Sequence, residues 1–103
     1  MSEPTREEVD RLSGPILLEF GASWCPHCQA IQPFLETMLA RNSEVEHIAV
    51  EDGRGKPLGR SFRVKLWPTL VFMQDGRVVS QLVRPSSEEI ARAFVELKTA
   101  TTN

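Results

Sequence analysis

Two cysteines separated by two residues, Cys25-Pro26-His27-Cys28, stand where one hydrophobic pattern gives way to another. Before them runs Ile16-Leu17-Leu18-Glu19-Phe20, a compact apolar run of the kind shown by a strand covered on both faces. After them the apolar positions are Ile31, Phe34, Leu35, Met38 and Leu39. That is the i, i+3, i+4, i+7, i+8 series of one helix face. The spacing predicts a helix over 26–41, with Cys28 on its inward face and Cys25 at its more accessible N-terminal end. A cysteine at a helix N-terminus faces unpaired backbone N–H groups and the positive end of the helix dipole, and both stabilise a thiolate. A disulfide between these two would close a loop of only four residues, too short to remove much unfolded-state entropy. The second sulfur can nevertheless reach the first and close a small, strained, exchangeable bond. The pair is placed for chemistry, not for holding the chain together.

The rest of the chain reads as alternating elements. Thr5-Arg6-Glu7-Glu8 is a capping-box pattern that opens a short helix near 5–12, and Ser13-Gly14-Pro15 stops it. Residues 45–51 read as a strand with Ile48 and Val50 inward, and Pro57 to Phe62 as a short helix. Strands at 69–73 and 77–83 flank Asp75-Gly76, a strong hairpin signal. Ser86-Ser87-Glu88-Glu89 is a second capping box, opening a helix with Ile90, Phe94 and Leu97 on one side. Pro33 inside the 26–41 helix removes one backbone donor and should kink it. The order is α-β-α-β-α-β-β-α. The two middle strands and their helix suggest a parallel crossover, and the last two an antiparallel hairpin. With 103 residues and no repeat or linker, residues 1–103 are expected to form a single domain.

Composition narrows the function classes. Twelve Lys+Arg against 14 Asp+Glu give a net charge of -2, which leaves no electrostatic footprint for nucleic acid. The longest apolar stretch, Leu66 to Met73, is far short of the roughly 20 residues of a membrane span. Residues 1–8 lack a basic segment followed by an apolar core. A cytoplasmic protein is expected, or a periplasmic one from which a signal has been removed.

A zinc site wants four ligands, and beside the cysteines only His27 and His47 are strong candidates, so no metal is expected. His27 lies beside the Cys25 sulfur and can tune it. Glu19 interrupts a buried run, where desolvation should raise its pKa. His47 is open between a role and none. Arg54, Lys56, Arg60, Arg63 and Lys65 read as a solvated face; Met38 and Met73 read as core.

Several pieces in order resemble the thioredoxin family, from about residue 5 onward: Leu18-Glu19-Phe20-Gly21-Ala22-Ser23-Trp24-Cys25, Cys28 with Pro33 five residues on, Trp67-Pro68-Thr69 before an apolar strand, and Asp75-Gly76 in the last hairpin. The resemblance implies an α/β thioredoxin fold, a mixed central sheet of about four strands flanked by helices. Residues 16–21 would lie between 45–51 and 69–73, with 77–83 at one edge. The family's first strand would be short or absent, leaving 45–51 an open edge. It implies a thiol–disulfide oxidoreductase acting on protein disulfides or dithiols, recycled by a reductase or oxidase, monomeric, with no cofactor beyond the Cys25/Cys28 pair. Cys25 would attack and Cys28 resolve. Glu19 falls where the family carries a buried acid that assists proton transfer at the inner cysteine. Trp24 matches the tryptophan before the first cysteine, and Pro68 the cis-proline whose loop, with Trp67, meets the substrate backbone.

Departures from the pattern bear on partners and redox poise. Pro26-His27 resembles the dipeptide of DsbA, the periplasmic disulfide-forming oxidase, whose helical insertion domain is absent. Gly21 replaces a second tryptophan, and His47 falls near a family lysine. Arg84-Pro85 replaces a glycine-containing turn, putting Arg84 on the substrate-facing surface. A binding or assembly module with little turnover is the alternative.

Overall fold

The computed structural model describes residues 3–101. Four helices and four strands follow one another as α1 (Arg6–Asp10), β1 (Pro15–Gly21), α2 (Pro26–Arg41), β2 (Glu46–Glu51), α3 (Pro57–Ser61), β3 (Thr69–Gln74), β4 (Arg77–Val83) and α4 (Ser87–Thr101). The strands form one mixed sheet in the order β2-β1-β3-β4. β2 runs parallel to β1, and β3 antiparallel to both β1 and β4. This is the expected thioredoxin fold.

The parallel crossover is β1–α2–β2, a correction to the expectation that the two middle strands would form it. β2 and β3 flank β1 on opposite sides and do not pair. The reason lies in the side chains. Six consecutive residues of β1, from Ile16 to Gly21, are buried, whereas only Val50 is buried in β2. A strand that is apolar on both faces takes the centre, and a mostly polar one takes an edge. Ile48, expected inward, is half-buried.

Alternation along β1 and β3 divides the core into two layers. On one face Ile16, Leu18, Phe20, Val71 and Met73 pack with Val9, Leu58 and Phe62. On the other, Leu17, Leu70 and Phe72 pack with Leu35 of α2 and Ile90, Phe94 and Leu97 of α4.

The local signals act as the chemistry requires. Thr5 Oγ1 accepts from the Glu8 N–H at 3.1 Å while Glu8 Oε1 accepts from the Thr5 N–H at 2.8 Å. α1 is shorter than expected because Arg11 already caps it. Ser86 and Glu89 exchange the same pair of bonds at the start of α4. Asp75 and Gly76 both take positive φ, 52° and 80°, as a two-residue hairpin turn of matching twist needs. Asp75 Oδ1 also accepts the Gly14 N–H at 2.8 Å, which holds its carboxyl below the ordinary value. Pro33 lies inside α2 without ending it. No helix among the described residues is long and apolar enough to cross a membrane.

Candidate active site

β1 delivers the chain to a turn, Ala22-Ser23-Trp24, that leads into α2. Cys25 is the N-cap of α2, extended at φ −80° and ψ 120°, and Pro26 takes the first helical position, where its missing N–H costs nothing. The Cys25 N–H donates to the Ala22 carbonyl at 3.0 Å. Gln29 Nε2 donates to the Ser23 carbonyl at 2.8 Å and pins the turn from the helix side.

Both cysteines are free thiols, and their environments push them apart. Backbone hydrogen bonding from Cys28 is the main cause that lowers the Cys25 pKa. Partial burial opposes it, while the Cys28 thiol, the His27 N–H and the Arg84 charge add to it. These are the unpaired amides of a helix start acting on an anion. Burial raises Cys28 to about 11, aided by the negative charges of Cys25 and Glu19 and opposed by the Ala22 backbone. Accessibility does not separate the two, contrary to expectation: each residue is 5% exposed. Ala22 and Trp67 pack against both, so Cys25 is covered although it opens the helix.

Beneath Cys28 sits Glu19, 8% exposed. Its Oε1 meets His47 Nε2 at 2.7 Å and its Oε2 accepts from Gln32 Nε2. Burial pushes this carboxyl up, but the His47 and Gln32 hydrogen bonds and the His47 charge outweigh it, and the pKa lies below the ordinary value. The expectation of a raised pKa is therefore overturned: desolvation acts, and two donors defeat it. Gln32 escaped the sequence reading, although it lies four residues after Cys28 on the same helix face. Its Nε2 also reaches the Cys28 carbonyl at 3.3 Å. A pocket of about 370 Å³ opens beside this cluster, lined by Glu19, Gly21, Cys28, Gln32 and His47 among others. Gly21 leaves room for the Cys28 sulfur, since a Cβ there would lie 2.6 Å from Sγ.

Across from the cysteines runs the loop before β3. The Trp67–Pro68 bond is cis. Trp67 Nε1 donates to Asp52 Oδ2 at 2.9 Å, a partner no sequence signal announced. Its ring stands edge-on to Trp24, with centroids 5.6 Å apart, and Trp24 is 68% exposed. Arg84 closes the loop from β4. Its N–H donates to the Pro68 carbonyl at 2.9 Å and its Nε to the Trp67 carbonyl at 2.8 Å. The Trp67 carbonyl thus already accepts from Arg84. Pro26 and His27 are exposed beside the pair. No group of three or more His, Cys, Asp or Glu among the described residues could hold a metal ion.

Comparisons agree with this geometry. The thioredoxin family model matches residues 2–96. Among curated proteins, thioredoxin H5 of Arabidopsis thaliana is 31% identical over 73% of this chain, and a thioredoxin H-type protein of Ricinus communis 28% over 86%. The chain spans 64% of the first of these relatives and 76% of the second. Among solved structures, reduced thioredoxin 2 of Pseudomonas aeruginosa superposes with a TM-score of 0.84 at 54% identity, covering 95% of this chain and 92% of that one. Mitochondrial thioredoxin 3 of Saccharomyces cerevisiae, at 17% identity and a TM-score of 0.77 over 85% of this chain and 83% of that one, shares the fold.

Proposed function

The chain belongs to the thioredoxin family, and we propose that it exchanges dithiol and disulfide with protein partners, with Cys25 attacking and Cys28 resolving. Thiol–disulfide exchange is the chemistry of a thioredoxin's Cys-x-x-Cys pair. The observation that carries the division of roles is the opposite displacement of the two thiols, Cys25 lowered and Cys28 raised to about 11. The sulfur that ionises more readily attacks; the one whose thiol is held protonated waits.

The Cys25 thiolate displaces one sulfur of the substrate disulfide, which leaves as a thiolate, and a mixed disulfide forms. Cys28 then loses its proton, attacks the Cys25 sulfur and releases the second substrate thiolate. Two electrons pass to the substrate, and the pair ends as the Cys25–Cys28 disulfide. A reductase returns the electrons; run backwards, the same steps oxidise a dithiol. Glu19, a carboxylate lining the same pocket as Cys28, passes the Cys28 proton on towards solvent. Trp67, Pro68 and Arg84 form the wall against which the substrate backbone lies, and Trp24 its apolar rim. Pro26-His27 makes the pair more oxidising than a Gly-Pro thioredoxin, as in the DsbA-like pattern. A cytoplasmic setting is part of the same proposal.

Insulin reduction with dithiothreitol tests the reading. Precipitation much faster than with a Cys25→Ser control is expected. Equal rates would replace it with a thioredoxin-like binding module.

A further inference from the structure

Two arginines stand in backbone conformations that favour glycine. Arg63 has φ 59° and Arg84 φ 47°, the left-handed region that costs an L side chain its Cβ clearance. The third non-glycine residue with positive φ, Asp75, belongs to the hairpin turn, where an aspartate is at home. Arg63 follows the C-cap of α3, where its N–H donates to the Arg60 carbonyl at 3.0 Å and the Val64 N–H to the Gly59 carbonyl at 2.9 Å, the left-handed end of a helix; Arg84 has no such local reason. Strain held at a surface is a reason to look for function there.

Both lie about the cis-proline loop. Arg84 is bonded to the carbonyls of Trp67 and Pro68. Arg63 begins the stretch that leads to them, and Gln81 of β4 ties that stretch down by donating to the Phe62 carbonyl at 2.9 Å. Gln81 is three residues before Arg84, about 10 Å along an extended strand. Lys65 stands between, exposed, two residues before Trp67. Arg63, Lys65 and Arg84 are all exposed, and none forms an ion pair among the described residues. Asp52 Oδ2 accepts from the Trp67 indole. Against a net charge of -2 for the whole chain, these three exposed cations face Asp52, the acid bonded within the loop. The Arg84 charge is felt at Cys25.

We propose that Arg63, Lys65 and Arg84 form a cationic rim that selects protein disulfides flanked by acidic side chains. The proposal rests on the exchange chemistry given above and adds a substrate class to it. The cations bind no group that reacts; they raise the occupancy of the groove by partners whose Asp or Glu residues flank the cystine. Such exposed contacts are individually weak and screened by salt, so selectivity comes from the set and fades as ionic strength rises.

The test uses three peptide disulfides of equal length, with Glu, Ser or Lys on either side of the cystine. Reduction of the Ser peptide reports the basic chemistry by itself. If it is not reduced, the exchange reading fails whatever the rim does. At low salt the kcat/KM for the Glu peptide should exceed that for the Lys peptide by about tenfold, as three weak pairs would give, and the ratio should fall towards one in 0.5 M salt, a concentration chosen to bring the screening length to about 4 Å. Arg63→Gly and Arg84→Gly relieve the left-handed strain, so each should melt no lower than the parent while reducing the ratio. A Glu-to-Lys ratio near one at low salt would overturn the proposal. So would a ratio that survives in the Arg63→Gly/Lys65→Gln/Arg84→Gly variant.

Discussion

Glu19 Oε1 lies 2.7 Å from His47 Nε2, and Gln32 holds the other oxygen, so the buried acid of this site has both oxygens already engaged. A carboxylate held in this way stays ionised under a thiol raised to about 11. It can take a proton only transiently, and the adjoining pocket supplies the route to solvent. Glu19→Gln should therefore slow Cys28 attack on the mixed disulfide more than it slows Cys25 attack on substrate. Stopped-flow traces of the two phases check this; equal slowing, or none, contradicts a relay.

The same lowering predicts an acid-side change in stability. The folded pKa of Glu19 is below its unfolded value of about 4.3. Its contribution is therefore full above pH ~4.3 and is lost as pH falls through the folded value. Urea melts from pH 6 down to pH 3, a range chosen to bracket that value, should show the parent losing this increment and Glu19→Gln lacking that part of the slope. Parallel curves would contradict it.

Gly21 is held to its size by Cys28. Its φ is not positive, so the constraint is space: an added methyl meets the sulfur at 2.6 Å. Gly21→Ala should cost about 1–3 kcal/mol, the usual penalty of overpacking, and should slow the resolving step. A variant as stable and as fast as the parent would show that the sulfur has room to move.

Much of this arrangement was legible in the sequence, and what was not has a common cause. α2 runs from Pro26 to Arg41 as its apolar spacing predicts, because a helix face and its Pro-led start are local properties. The capping boxes at Thr5 and Ser86 and the Asp75-Gly76 turn are local as well. The sheet order, with 16–21 between 45–51 and 69–73, is as the resemblance implied, but the parallel crossover was assigned to the two middle strands, because strand direction is settled by pairing across the sheet and not by adjacency in the chain. Likewise the pKa of Glu19 was read from its burial, but its direction is set by His47, 28 residues away. The Trp67–Asp52 and Arg84–Trp67 bonds link residues 15 and 17 apart, and no periodicity announces them.

Pro26-His27 should leave this pair more oxidising than a Gly-Pro thioredoxin. The Cys25 thiolate already receives the His27 and Cys28 amides, and a lower thiol pKa favours the reduced form and raises the potential. Equilibration with glutathione should place it between about −270 mV, the thioredoxin value, and about −120 mV, that of DsbA. The Pro26→Gly/His27→Pro variant should have a higher Cys25 pKa and a lower potential. An unchanged potential would remove the dipeptide from the tuning.

The most direct measurement is to trap the mixed disulfide. Each single-cysteine variant, Cys28→Ser and Cys25→Ser, is mixed with a peptide disulfide near neutral pH and the adducts are read by mass spectrometry. Cys28→Ser should accumulate a peptide adduct on Cys25, the sulfur with the lowered pKa. Cys25→Ser, left with a buried thiol raised to about 11, should accumulate almost none. Adducts forming on Cys28 as fast as on Cys25 would contradict the assignment of attack to one sulfur and resolution to the other.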